Sequence, residues 1–213
     1  MNNKLLNMTF RLTIICAAAA LILGIVNIIT EPIIIERKRI EQEKALEALS
    51  GGDHVGEVQF PANSDDLHKN LITALVEHGV IGAGDSIDEK ELITSIYPID
   101  KDGDIFKYIL KLQGSGYGGK MILLAVFNTD GSFIKAKLME NNETPGLGKK
   151  AEKPVYYNMF SNRGTVSDPV PVSKRSLSES DAEAVSGSTI TFDGISKAIA
   201  LGSDYVKLLG GKN

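Results

Sequence analysis

The chain has 213 residues, a formal net charge of −4 and a sequence pI near 5.5. This length suits one principal globular body with appendages, because single hydrophobic cores usually span about 100–200 residues. The acidic balance and the scattered Lys and Arg residues exclude the basic field that nucleic-acid binding requires, so we expect no nucleic-acid partner. Cys16 is the single cysteine. A disulfide framework and a cysteine-ligated metal cluster are therefore excluded, and any redox chemistry requires a bound organic cofactor.

The first predicted element is a transmembrane helix over residues 12–30, LTIICAAAALILGIVNIIT. This run of 19 residues carries no charge, and at roughly 1.5 Å per residue it nearly matches a hydrocarbon core of about 30 Å. The alternative is a cleavable signal peptide, but its apolar region usually has about 7–15 residues and ends in polar sequence. Basic residues lie on both sides of the run, at Lys4 and Arg11 and at residues 37–39. The distribution of charge therefore leaves the orientation open.

A charged stalk helix is predicted over residues 31–51, because Pro32 is well suited to open a helix and the following residues alternate in charge. A narrow apolar seam runs along it, formed by Ile33, Ile40, Leu46 and Leu49. Such a seam is typical of a solvated charged helix, and a helix specific for a partner is the alternative.

The remaining residues, 52–213, predict one α+β domain. A core-packed helix is indicated from Asp65 by apolar residues at helical spacing, and a final helix from about Asp193 to Leu209. Between them, strand-like runs begin at Leu92, Ile105 and Met121, and a turn at residues 129–131 leads into a fourth run, SFIKAKLME. Helices flanking a meandering antiparallel sheet make an α+β fold. The three histidines, His54, His68 and His78, have no second ligand at metal spacing, so we assign no metal site.

The segment GSGYGGKM places four glycines and Tyr117 immediately before a strand. Glycines without side chains leave backbone amides open, and such a loop can approach a flat ring or a phosphate closely. The alternative is a flexible hairpin tip, since one Gly-rich run is weak evidence for a binding site.

The segment ENNETPGLGKK holds Leu147 between two glycines, directly after a Pro145-Gly146 turn. A leucine displayed on a turn can cover an apolar ring face, while Glu143 and Thr144 can bond ring edges and Lys149 or Lys150 can meet an anion. The alternative is a proline turn whose leucine packs into the core.

The segment VSGSTITFDGISKAI crowds four hydroxyl side chains around a glycine before the last predicted helix: Ser186, Ser188, Thr189 and Thr191. Unpaired N–H groups and the positive end of the macrodipole at a helix N-terminus favour an anion such as phosphate. The alternative is helix capping by Thr191 or Asp193. Capping accounts for one hydroxyl but not for four.

In their order and spacing, these three segments resemble the motifs of the FMN-binding domain shared by the G subunit of the Rnf complex and the C subunit of the sodium-pumping NADH:quinone reductase. The resemblance extends from the apolar run through GYGG at 116–119, ETPGLG at 143–148 and SGST at 186–189 to the last helix. The family's third motif is an acidic residue, two further residues and then Ser/Thr-Gly-Ala-Thr, whose final Thr is joined to FMN by a phosphoester. The resemblance implies that Thr189 is the covalent attachment residue.

The resemblance also implies which residues contact the cofactor. They are Gly116, Tyr117, Gly118, Gly119, Glu143, Thr144, Gly146, Leu147, Gly148, Lys150, Ser186, Gly187 and Ser188. Two residues of the third motif depart from the family pattern, because Glu183 replaces Asp and Ser188 replaces Ala. Asn141 stands where family members often have His, and Tyr156 and Tyr157 lie in the region where they often have Trp.

The function implied by the resemblance is electron transfer within a membrane-bound, ion-translocating ferredoxin:NAD⁺ oxidoreductase (Rnf) complex. The implied partners are the other membrane and peripheral subunits of that complex and the flavin transferase that attaches the FMN. The implied location is the cell membrane, with one pass, a cytoplasmic tail at residues 1–11 and an extracytoplasmic domain at residues 52–213. The organic redox chemistry belongs to FMN, and the protein tunes and places it.

Two other functions remain open at this point. The first is that of the C subunit of a sodium-translocating NADH:quinone reductase, although the little sequence inserted between the apolar run and the domain favours the Rnf complex. The second belongs to another class, a membrane-tethered binding or scaffold module without a cofactor. A module without a cofactor would not explain why the three motifs occur together in this order.

Overall fold

The computed structural model describes residues 3–61, 65–82 and 88–210, without the side chains of residues 3–6, 89 and 90. The chain divides into two compact units, one up to Lys44 and one from Ala45 onward. The helices are α1 (Asn3–Ser50), α2 (Asp65–Glu77), α3 (Glu89–Leu92), α4 (Glu179–Ala184) and α5 (Thr189–Gly210), and the strands are β1 (His54–Val55), β2 (Ile93–Lys101), β3 (Asp104–Gly116), β4 (Gly119–Asn128) and β5 (Phe133–Glu140). Three short 3-10 helices cover Gly148–Glu152, Pro154–Phe160 and Lys174–Ser176.

The apolar run lies in α1, which continues through Pro32 to Ser50. The predicted stalk is therefore not a separate helix that begins at the proline. A proline removes one helical hydrogen bond, and here the residues on both sides continue the helix. Within the described part of the chain, Asn7–Ser50 is the one helix long and apolar enough to cross a membrane by length and composition, and none of its most apolar stretch is buried.

The second unit is built on a five-stranded antiparallel sheet with the order β1-β2-β3-β4-β5. The predicted meander is confirmed for β2 to β5, and β1 is a further two-residue strand that the sequence pattern did not predict. The longest pairing joins β3 to β4, from Lys107 opposite Asn128 to Gly116 opposite Gly119. This hairpin carries the first of the three glycine-bearing segments to its tip.

Both faces of the sheet are covered, which explains why β4 is a continuous apolar run and not an alternating one. Residues of one face, such as Leu112 and Leu123, pack into the larger core with α2 and α5. Residues of the other face, such as Ile109 and Leu124, pack against Ala45 and Leu49 from the end of α1. The predicted α+β class with helices flanking an antiparallel sheet is therefore confirmed.

Helix α5 begins at Thr189, four residues earlier than the apolar spacing predicted. It crosses β3 at a contact between two glycines, since a Cβ built on Gly114 would lie 2.7 Å from the carbonyl oxygen of Gly194. This close approach places the first turn of α5 beside the tip of the β3–β4 hairpin. The segment that follows β5 reaches the same end of the sheet.

Candidate functional site

The tip of the β3–β4 hairpin forms one wall of the candidate site. Gly116 pairs with Gly119, so Tyr117 and Gly118 form a two-residue turn, and Gly119 has φ +104°. The side chain of Tyr117 is 76% exposed. The segment is therefore a hairpin tip, and it displays an aromatic ring to solvent.

The turn after β5 forms the second wall. The N–H of Leu147 donates to the carbonyl of Thr144 at 3.1 Å, and Gly146 has φ +80°, as a turn with Pro145 and a glycine at its centre requires. Leu147 is 44% exposed. The alternative in which this leucine packs into the core is therefore wrong.

The start of α5 forms the third wall. The first helical N–H of α5 with a backbone acceptor is that of Phe192, which donates to Ser188 at 2.9 Å. The N–H groups of Thr189, Ile190 and Thr191 precede it and have no backbone acceptor among the described residues. An α-helix N-terminus of this kind favours an anion.

The hydroxyls of this segment have different surroundings. Thr191 is buried and its Oγ1 donates to Glu143 Oε2 at 2.6 Å, whereas Ser188 donates to the carbonyl of Val185 at 3.2 Å. Thr189 is exposed, and its hydroxyl has no hydrogen bond within the described chain. The alternative in which Thr191 or Asp193 caps α5 is wrong, because the helix has already begun at Thr189.

The three walls enclose one cleft of about 550 Å³. Its lining comes from all three segments: Tyr117, Glu143, Thr144, Leu147, Gly148, Gly187, Ser188, Thr189, Ile190 and Thr191. This volume lies within the range of about 300–1,000 Å³ that small-molecule and cofactor sites occupy. The structure therefore brings together three segments that are separated by up to about 70 residues in the sequence.

Several predicted contact residues are not among those that line the cleft. They are Gly116, Gly118, Gly119, Gly146, Lys150 and Ser186. Gly116 and Gly118 are close to other parts of the domain itself. A Cβ on Gly116 would overlap the side chain of Glu143, and a Cβ on Gly118 would overlap the backbone of Asn142. Lys150 is half-buried and lies outside the lining, so the structure does not place its charge in the cleft.

Ile190 lines the cleft and is 55% exposed, yet the sequence did not indicate a role for it. The sequence feature that could have indicated this role is an apolar residue between two threonines, on the side of the helix away from the apolar stripe of α5. Together with Tyr117 and Leu147, it gives the cleft three exposed apolar side chains. Exposed apolar groups around a concave site are typical of a ligand-binding groove.

Two neighbouring tyrosines lie in the larger core. Tyr156 and Tyr157 are buried, and their hydroxyls have no hydrogen-bond partner among the described residues. Burial raises the pKa of both phenols, and the carboxylates of Asp193 and Glu143 raise the pKa of Tyr156 further. Neither tyrosine is among the residues that line the cleft.

A second cleft of about 570 Å³ lies among α2, β3 and α5. Its polar lining includes Gln113, Ser115 and Lys197, but it contains no residue of the GYGG, ETPGLG or SGST motifs. In the described part of the chain, no three His, Cys, Asp or Glu side chains cluster as metal ligands would. His54 and His78 instead hydrogen-bond to single aspartates, at 2.8 and 2.9 Å.

Sequence comparison associates this cleft with a known family. Residues 116–202 match the family described as FMN-binding domain. The matched range includes all three motifs, the turn residues between them and the first two thirds of α5.

Three curated relatives illustrate the similarity. The chain is 30% identical over 117 residues to the G subunit of the proton-translocating ferredoxin:NAD(+) oxidoreductase complex of Clostridium ljungdahlii, covering 54% of this chain and 62% of the relative. It is 30% identical over 118 residues to the G subunit of the Na(+)-translocating ferredoxin:NAD(+) oxidoreductase complex of Acetobacterium woodii, covering 54% and 55%. It is also 30% identical over 112 residues to the C subunit of the Na(+)-translocating NADH-quinone reductase of Yersinia pestis, covering 48% and 42%.

The chain thus spans about half the length of the curated relatives it matches. The family match and the cleft nevertheless coincide, since every residue that lines the cleft lies within residues 116–202. The second unit of this chain is therefore similar, over residues 116–202, to the FMN-binding domain family, and the chain is similar to the G subunits of ion-translocating ferredoxin:NAD(+) oxidoreductase complexes and to the C subunits of Na(+)-translocating NADH-quinone reductases.

Proposed function

We propose that this chain is the electron-transfer subunit of a membrane-bound, ion-translocating ferredoxin:NAD⁺ oxidoreductase complex and carries FMN as a phosphoester of Thr189. One observation supports the proposal most directly. The exposed hydroxyl of Thr189 lies on the first turn of α5, in a cleft whose other walls are the GYGG and ETPGLG segments. The matches to the G subunits of two such complexes support the parent assembly.

The residues present fit FMN. The N–H groups of Thr189, Ile190 and Thr191 have no backbone acceptor and suit a phosphate at the helix N-terminus. The exposed side chains of Tyr117, Leu147 and Ile190 suit the faces of a flat ring system. Thr144 lies exposed in the lining, where its hydroxyl suits a polar ring edge.

Attachment is a phosphoryl transfer to Thr189. Its hydroxyl oxygen attacks the phosphorus of an FMN group that is activated as the phosphoanhydride of a flavin dinucleotide, and the new bond is Thr189 Oγ1–P. The phosphoanhydride P–O bond breaks, the nucleoside monophosphate leaves with that electron pair, and the hydroxyl proton passes to a base on the flavin transferase. The chain gains the mass of FMN less one water.

Once bound, FMN supplies the electron transfer. The chain's own residues would hold it: the α5 amides would donate hydrogen bonds to the phosphate, Leu147 and Tyr117 would limit the access of water to the ring, and the covalent bond would prevent loss of the cofactor. The apolar part of α1 anchors the domain in the cell membrane, and we place the domain from residue 52 onward on the extracytoplasmic face. The proposed partners are the other subunits of the complex and the flavin transferase.

The test is intact-mass spectrometry of the full chain, produced with and without a flavin transferase and followed by peptide mapping. We expect a gain of FMN less one water on the peptide that contains Thr189, and only when the transferase is present. An unmodified chain, with an authentic Rnf G subunit modified in parallel, would contradict the proposal and favour a tethered module without a cofactor.

The matches to the C subunits of NADH-quinone reductases make that complex a second candidate. Both assignments require the same covalent flavin, so mass spectrometry does not separate them. Purification of the tagged chain from its native membranes separates the two assignments. Ferredoxin:NAD⁺ activity in the purified complex supports the first assignment, and NADH:quinone activity supports the second.

A further inference from the structure

Glu143 contributes a buried carboxylate to the lining of the cleft. The residue is 3% exposed. The N–H of Gly118 in the hairpin tip donates to Oε1 at 2.8 Å, and the hydroxyl of Thr191 in the first turn of α5 donates to Oε2 at 2.6 Å. Because both oxygens accept hydrogen bonds, the surroundings match a carboxylate that carries its negative charge.

This negative charge has no cation beside it. Among the residues that the structure describes, no lysine or arginine lies within ion-pair distance of Glu143. Of the two lysines that follow the motif, Lys149 pairs with Glu152 at 3.4 Å, and Lys150 is not among the residues that line the cleft. The free amides at the start of α5 suit the phosphate, which is itself an anion. Hydrogen bonds alone therefore stabilise the charge of Glu143.

A second carboxylate, that of Asp193 in α5, lies in the same region. Burial raises the pKa of the Tyr156 phenol, and the carboxylates of Asp193 and Glu143 raise that pKa further. An electrostatic effect of both carboxylates on one phenol requires that both lie near it, because the interaction weakens with distance. The protein around Glu143 therefore carries negative charge from two residues.

A fixed negative charge in the cleft affects the reduction of a flavin held there. Two electrons and two protons leave the flavin ring neutral, whereas two electrons and one proton leave it with one negative charge. Glu143 opposes the second form, since like charges repel and a buried carboxylate is poorly screened. At an effective dielectric constant of about 20, two unit charges about 10 Å apart change an equilibrium constant by about tenfold.

We propose that the charge of Glu143 lowers the reduction potential of FMN in this cleft and favours uptake of the second proton by the reduced ring. This inference rests on the proposed function. It assigns Glu143 a role in how readily the bound ring accepts electrons, and none in the attachment of the cofactor. Charged groups placed near a flavin are one of the means by which a protein tunes that cofactor.

The experiment measures the midpoint potential of the detergent-solubilised full chain with covalent FMN, by spectroelectrochemical titration. Glu143→Gln removes the charge and keeps both hydrogen bonds, because its amide can accept from Gly118 and donate to the Thr191 hydroxyl. We expect a higher potential, equivalent to an increase of about tenfold or more in the equilibrium constant for reduction. Glu143→Asp keeps the charge on a shorter side chain, so its potential should stay close to the wild-type value even where the domain is less stable.

Glu57→Gln is the matched control. Glu57 is exposed on the segment that follows β1 and does not line the cleft, so water and salt screen its charge. We expect the wild-type potential in this variant. The shift in Glu143→Gln should persist at high salt, because the group is buried. An equal shift in Glu57→Gln, or a shift that high salt abolishes, would show that the net charge of the chain sets the potential and would refute the proposal.

The pH dependence of the potential gives a second measurement. In the wild type, the slope of two protons per two electrons should extend to a higher pH than in Glu143→Gln, because the carboxylate favours the second proton. Asp193 and Tyr156 are unchanged in both proteins, so the difference reports the charge of Glu143. A change of slope at the same pH in both would contradict the effect on the proton, and an unchanged potential would refute the whole inference.

Asp193→Asn keeps the proposal testable if Glu143→Gln does not fold. Asp193 is half-buried and does not line the cleft, so its neutralisation should raise the potential by less than the loss of the Glu143 charge. In that case, a wild-type potential in Asp193→Asn would overturn the inference. A wild-type chain that never acquires FMN would instead refute the proposed function, which distinguishes the two failures.

Discussion

Leu147 lies directly against Gly187: a Cβ built on that glycine would be 3.2 Å from Leu147 Cδ2. The contact joins the turn after β5 to the segment that precedes α5, 40 residues further along the chain. Gly187 also has φ +77°, a conformation that side-chain-bearing residues rarely adopt. The glycine of the third motif therefore provides both the chain reversal before the attachment residue and the space for the leucine of the second motif.

Gly187→Ala should destabilise the domain and displace Leu147. The left-handed conformation costs about 1–2 kcal/mol for a residue with a Cβ, and the added methyl group presses on the leucine. Urea unfolding gives the stability change, and the absorption spectrum of the flavin reports the displaced side chain. Gly103→Ala is the control, because Gly103 has φ +94° with open space around it. It should show the stability loss without the spectral change.

Leu147→Ala and Thr144→Ala should leave covalent attachment possible but change the environment of the flavin. The first exposes the ring to water, and the second removes a hydroxyl at the mouth of the cleft. We expect a shifted absorption spectrum or reduction potential in each. Val166→Ala truncates an exposed side chain outside the cleft and should match the wild type. Unchanged spectra and potentials in both cleft variants would remove the ETPGLG turn from the cofactor site.

Thr189→Ala should abolish covalent flavin and leave the fold intact, because an exposed side chain that makes no hydrogen bond within the described chain contributes only about 0.5 kcal/mol or less. Thr189→Ser should retain attachment, since it keeps the nucleophilic hydroxyl. Flavin fluorescence of the chain in a denaturing gel measures both. Thr73→Ala, on the exposed side of α2, is the control and should be fully labelled. Covalent flavin in Thr189→Ala would refute the assigned attachment residue.

Tyr156→Phe and Tyr157→Phe should each stabilise the domain. A buried hydroxyl without a partner opposes folding by about 1–3 kcal/mol, and phenylalanine fills the same space without it. Thermal unfolding at neutral pH should show a higher midpoint for each variant. A lower midpoint would mean that the hydroxyl contributes a stabilising interaction.

The same tyrosines predict a loss of stability in alkali. Burial raises the pKa of both phenols above the ordinary value of 10.0, so above pH 10 the unfolded chain releases protons that the folded chain retains. Ionisation then favours the unfolded state, and the free energy of unfolding should fall as the pH rises through this range. The double variant with both tyrosines replaced by phenylalanine should lose less stability between pH 9 and pH 11, about where ordinary tyrosines ionise.

Local sequence patterns were sufficient to predict strands β2 to β5 and the helical regions of α1, α2 and α5, but not β1, α3 or α4. Strands β2 to β5 are apolar runs separated by turn residues, and the order of a meander follows from short connections. The apolar run of α1 and the helical spacing of α2 could also be read from the chain. Local patterns failed at the start of α5, because its first turn carries the polar residues of the site and interrupts the apolar periodicity that would have marked it.

The motifs also indicated which segments form the site, but not what each residue does there. Glu143 was expected to bond a ligand, and the structure shows in addition that its two oxygens accept hydrogen bonds from Gly118 and Thr191. The sequence was ambiguous at this position, because a glutamate beside a glycine turn looks the same in the sequence whether its side chain faces a ligand or is buried against another segment.

The sequence by itself determined the strands, the apolar helix, the attachment threonine as a candidate and the three glycine-bearing segments, since all of these depend on residue type and spacing along the chain. Only the tertiary structure decided that the segments share one cleft, that Ile190 lines it and that Glu143 connects its walls. The physical reason is that burial and hydrogen-bond partners are set by residues distant in sequence. The Glu143–Thr191 pair, 48 positions apart, forms only when the sheet and α5 have packed together.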